Sequence, residues 1–134
     1  MEATVREPIV EDNEYGPHIK AVVFAQKTTV ECTLRFIYGP GSDYAVIYLG
    51  LPDDKEAVHA YDLFNSLFKP QAFKMTGITK LHRDKKRYIN DRLEASWNIR
   101  KEQFKELLEE IKKKLGTEWH NAFSLVYPRI GAKK

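Results

Sequence analysis

Residues 28–38, TTVECTLRFIY, alternate in polarity along almost their whole length. Val30, Cys32, Leu34, Phe36 and Tyr38 fall on one side, with Glu31, Thr33, Arg35 and Ile37 on the other. Side chains of a strand point to opposite faces at period two, so this run predicts a strand with one face on a core. Such a strand needs partners. HIKAVVFAQ precedes it, and YAVIYLG follows across the loop signal GPGSD at 39–43. Together they predict an antiparallel hairpin extended to a meander. Its register has two solutions. Pairing Tyr38 with Tyr44 gathers Glu31, Thr33, Arg35, Ile37, Ala45, Ile47 and Leu49 on one face, whereas a shift by one places Arg35 with Tyr44 and Tyr48.

The period then changes. In LPDDKEAVHAYDLFNSLFKP, Asp53 can cap a helix and Glu56 stands three residues later, as in a capping box. Val58, Tyr61, Phe64, Leu67 and Phe68 share its apolar face, and Pro70 closes it. RKEQFKELLEEIKKKLG is a second amphipathic helix, with a stripe of Phe104, Leu107, Leu108, Ile111 and Leu115. Lys112 to Lys114 suit its C-terminus, and Gly116 stops it. Barely two heptads is short for a coiled coil. The stripe therefore fits packing on a sheet better than the seam of a homodimer, its alternative use. NAFSLVYPRI at 121–130 reads as a last strand. The order implies an α+β fold, an antiparallel β-sheet with two amphipathic α-helices packed on one face. A single compact domain over 18–134 is expected. Residues 1–17, with Pro8, Gly16, Pro17 and a net charge of −4, read as a flexible acidic arm.

Composition excludes several classes. At 134 residues, 43% hydrophobic and 31% charged, the chain can bury a core and is not a disordered polyelectrolyte. No apolar run approaches the roughly 18 residues of a membrane helix, and the acidic N-terminus has no signal-like stretch. Cys32 is the only cysteine, so no internal disulfide forms and a reducing, cytoplasmic setting is expected. There is no GxxxxGK, GxGxxG, HExxH, CxxC or GxSxG. His59 and Asp62 read as a solvent-facing polar pair, and Cys32 as a small buried hydrophobe rather than a nucleophile. Neither enzyme activity nor a metal or cofactor is expected.

What remains is charge. Residues 69–101 hold ten basic residues and three acids, a net +7 in a chain whose total is +3. Their centre, KLHRDKKRYIN at 80–90, is cation-rich with a tyrosine at its end. Ile89, Leu93 and Trp97 are spaced as on a helix, yet Thr76, Ile78 and Thr79 favour two strands joined by RDKK. In the strand reading Trp97 sides with Ile89 and Leu93 and belongs to the core. Tyr88 sides with Arg92 and is the stacking candidate. Cations along phosphates and flat rings for unpaired bases are what single-stranded DNA or RNA requires. The expected function is therefore non-sequence-specific single-stranded nucleic-acid binding, through Lys80, Arg83, Lys85, Lys86, Arg87, Tyr88, Arg92 and Arg100. The rival is an adaptor or inhibitor that turns the same cations to an acidic partner protein. Exposed rings beside the cations favour bases; buried rings favour the rival.

Overall fold

The alternating run becomes the third strand of a six-stranded antiparallel sheet. In the computed structural model the strands are β1 (Thr4–Asn13), β2 (Gly16–Ala25), β3 (Thr28–Tyr38), β4 (Tyr44–Pro52), β5 (Ala72–Leu81) and β6 (Arg92–Arg100). The helices are α1 (Ala57–Phe68), α2 (Phe104–Leu115) and α3 (Thr117–Ala132). The structure describes residues 4–13, 16–25, 28–38, 43–52, 55, 57–81 and 92–132. Side chains are described for 8, 10, 19, 30–37, 43–52, 55, 57–79 and 93–125. The spatial order is β1-β2-β3-β4-β6-β5, so the β5–β6 hairpin folds back and inserts β6 beside β4. Residues 73–99 thus contain two strands rather than a helix.

One face of the sheet is the core. Val30, Cys32, Leu34 and Phe36 from β3, Ala45, Ile47, Leu49 and Leu51 from β4, and Ala95, Trp97 and Ile99 from β6 are all buried. Phe64, Leu67 and Phe68 of α1, Phe104, Leu107 and Ile111 of α2, and Trp119, Ala122 and Phe123 of α3 close over them. Rings carry much of this contact. Phe36 meets Phe123 edge-on at 5.4 Å, and Phe64 packs on Trp119 at 5.8 Å. Each such pair contributes about 0.5–1.5 kcal/mol beyond its area. In α1 the buried side is centred on Ala57, Ala60 and Phe64, while Val58 is left exposed. Two alanines let the helix approach the sheet more closely than the expected face of Val58 would.

Two expectations are corrected. The acidic arm is a strand: Thr4–Asn13 pairs with β2, and Val10 packs against the core. Pro8 does not forbid this, because β1 is an edge strand and the register shifts between Arg6 and Ile9. A proline without an N–H is tolerated at an edge or bulge. The last strand is a helix instead. Trp119, Ala122 and Phe123 are spaced three and four apart, and burial against α2 and the sheet outweighs the β-branched, aromatic composition of 121–130.

Gly116 makes the corner between α2 and α3. Its φ is +99° and ψ 178°, and its N–H donates to the carbonyls of Ile111 and Lys112 at 3.2 and 3.1 Å. That backbone region is essentially reserved for glycine, and a side chain there costs about 1–3 kcal/mol. A Cβ at Gly116 would meet nothing within 4 Å, so the cost is backbone strain alone. Gly116→Ala is expected to lower stability by about that amount. An unchanged urea midpoint would contradict it.

Candidate nucleic-acid interface

The helices leave the other face of the sheet uncovered. It presents Glu31, Thr33, Arg35 and Ile37 from β3, Tyr44, Val46, Tyr48 and Gly50 from β4, and Glu94, Ser96, Asn98 and Arg100 from β6. The register observed sets Arg35 opposite Tyr48 and Tyr38 opposite Ala45. Of the two solutions the sequence allows, the one that joins Arg35 to the tyrosines is realised.

Two clusters of like composition result. In the first, the Arg35 guanidinium lies 5.4 Å from the centre of the Tyr48 ring, and its Nη2 donates to Glu94 Oε2 at 3.2 Å. The pair reaches across β4 at Gly50, which stands opposite both Thr33 and Glu94. Glycine there leaves room for the crossing. In the second, the Arg100 guanidinium lies 4.3 Å from the centre of the Phe73 ring, and its Nη1 donates to Asp43 Oδ2 at 2.7 Å. Tyr44 meets Phe73 edge-on at 5.4 Å. The backbone N–H of Lys101 donates to the Asp43 carbonyl at 2.8 Å and holds that residue in place. Tyr44 and Tyr48 are four residues apart on β4, which separates the clusters by about 13 Å.

A bulge puts Phe73 there. Ala72 pairs with Ile99 and Lys74 with Asn98, so one extra residue is accommodated in β5. A regular ladder would set Lys74 opposite Trp97, on the side of the apolar core. The shift sets Met75 there instead and leaves Phe73 and Lys74 exposed. A second shift between Thr76 and Thr79 sets Thr79 opposite Glu94, and the threonine hydroxyl donates to the Glu94 carbonyl at 3.3 Å.

Electrostatically the clusters are nearly neutral. Each guanidinium faces a carboxylate, and such half-exposed pairs stabilise the fold by no more than about 1 kcal/mol. Their effect is orientation: each guanidinium is held between a ring and a carboxylate, with 41% and 43% of the Arg35 and Arg100 side chains exposed.

Of the site residues expected from sequence, Arg100 is the one whose side chain is described. It lies at the far end of β6 from Arg92, about 26 Å along the strand. The two therefore do not share one patch. Lys80 and Arg92 belong to the ends of β5 and β6 that face the connecting segment, with Lys80 opposite Leu93 and Leu81 opposite Arg92. Arg83, Lys85, Lys86, Arg87 and Tyr88 lie outside the described residues. Trp97 is buried, as its parity implies. It stacks with Tyr61 at 6.0 Å, and its Nε1 donates to Asn65 Oδ1 at 3.0 Å. Arg35, Tyr44, Tyr48 and Asp43 are absent from the sequence-derived site, although the alternation of β3 and β4 carries the signal for the first three. Among the described residues no group of three or more His, Cys, Asp or Glu could hold a metal, and no helix is long and apolar enough to cross a membrane. Burial pushes the Cys32 thiol up to about 12, so it stays protonated at neutral pH.

Comparison of the chain with protein families, with curated proteins and with solved structures finds no match.

Proposed function

We propose that the protein binds single-stranded DNA or RNA across the uncovered face of its sheet, with the cations of residues 80–92 tracking phosphates. The observation that carries this reading is the pairing of exposed guanidinium planes with rings, Arg35 on Tyr48 and Arg100 on Phe73. Unpaired bases stack on such surfaces whatever their sequence. The net +7 of residues 69–101 supports it, since solubility alone does not call for charge clustered so tightly. Trp97, being buried, takes no part, and Phe73 is an exposed ring next to a cation.

The rival keeps one observation in its favour. Ile37 and Phe73 are each more than two-fifths exposed, and an acidic partner protein with an apolar centre would cover them. Titration of labelled single-stranded DNA, RNA and duplex at several salt concentrations separates the two. Contact with about four phosphates predicts a slope of log K against log salt near −3, at about −0.7 per phosphate on single strands. Neutralising Lys85 and Lys86 together should flatten that slope and weaken all sequences alike. No binding at low salt, or affinity indifferent to salt, returns the surface to the protein-partner reading.

A further inference from the structure

The two clusters repeat one arrangement: a ring, a guanidinium over it, and a carboxylate gripping the guanidinium from the side. Phosphate tracking does not need the carboxylates, and their charge opposes it. Each grips through one oxygen. Glu94 Oε2 meets Arg35 and Asp43 Oδ2 meets Arg100, while Oε1 and Oδ1 have no partner among the described residues. The Asp43 side chain is 73% exposed and the Glu94 side chain 22% exposed.

A base lying on either guanidinium brings its Watson–Crick edge to the carboxylate at the rim. Four base edges then compete for a two-oxygen acceptor. Adenine and cytosine offer one amino group, thymine or uracil one imino N–H. Guanine alone sets two donors side by side, N1–H and the N2 amino group, at the spacing of a carboxylate's two oxygens. We infer that Glu94 and Asp43 are base-reading residues that favour guanine at two positions of a bound single strand, superimposed on sequence-tolerant stacking and phosphate contacts. The inference rests on the nucleic-acid reading above and adds a preference to it. The two reading positions are separated by about 13 Å of β4, so a strand can occupy both only if guanines are spaced by intervening nucleotides.

The test uses the full chain and labelled oligodeoxythymidine about 12 nucleotides long, within the span of one small domain. Replacing one central thymine by guanine should tighten binding about tenfold, the scale of one bidentate base contact. Inosine, which keeps O6 and N1–H but lacks the N2 amino group, should lose most of that gain. Glu94→Gln with Asp43→Asn keeps an oxygen for each arginine and removes the two-oxygen acceptor. This variant should lose the preference for guanine over thymine at the central position, read as the ratio of the two affinities so that any change in oligodeoxythymidine binding itself cancels, with its thermal midpoint checked against the parent. Equal affinity for all oligomers overturns the guanine preference and leaves the binding function standing. Inosine binding as tightly as guanine overturns the carboxylate as reader. Absence of binding to every oligomer overturns both the preference and the function on which it rests.

Discussion

Trp97→Ala is expected to lower the unfolding free energy by about 3–5 kcal/mol, as for other fully buried aromatic residues. Trp97 has no exposed surface, and Met75 and Ile47 are its register partners on the flanking strands. Its ring stacks with Tyr61 and meets Phe68 edge-on at 5.1 Å, so truncation opens a cavity walled by rings that cannot collapse into it. The loss also removes the donor that satisfies Asn65 Oδ1. A domain of this size has roughly 5–15 kcal/mol of stability in all, so the variant should sit near its unfolding midpoint at moderate urea. Circular dichroism during urea denaturation is the measurement. Trp97→Phe, which keeps much of the volume and loses the hydrogen bond, should recover a large part of the difference. A loss below about 1 kcal/mol would mean that the β5–β6 hairpin is not packed on the helices as described.

Phe73→Ala should do the opposite. Binding of single strands is expected to weaken by about 1–3 kcal/mol, the worth of one stacked base, while the thermal midpoint moves little. The ring is 46% exposed on an edge strand, so little core is lost, and Tyr44 forfeits one edge contact. Arg100 loses the surface beneath its guanidinium but keeps Asp43. A stacking site is therefore loosened without removing a charge. The salt slope should stay the same while affinity falls at every salt concentration. That separates Phe73 from Lys85 and Lys86, whose neutralisation should change the slope. If Phe73→Ala leaves affinity unchanged and Lys85/Lys86 neutralisation abolishes it, binding is electrostatic and the sheet face is not the stacking surface.

Local patterns determined a good part of this protein. Parity within a strand depends only on the alternation of Cβ directions, and it places Cys32 and Trp97 in the core and Arg35 on the other face without reference to any partner. The stripe of α2 and its glycine stop are local in the same way, since helical spacing and the demand for positive φ follow from a dozen neighbouring residues. Three features were decided by tertiary structure. Whether Thr4–Asn13 is an arm or a strand depends on β2 offering an unpaired edge and the core a place for Val10, neither of which residues 1–17 encode. Whether 121–130 is strand or helix depends on what Trp119, Ala122 and Phe123 find to pack on. The candidate site is the most non-local of all. Joining Arg35 to Tyr48 and Glu94 takes the register of three strands, and joining Phe73 to Arg100 takes a bulge in β5. Register is set by loop geometry and by the packing of whole faces, so a change of one residue turns every side chain over while leaving each strand's own pattern intact.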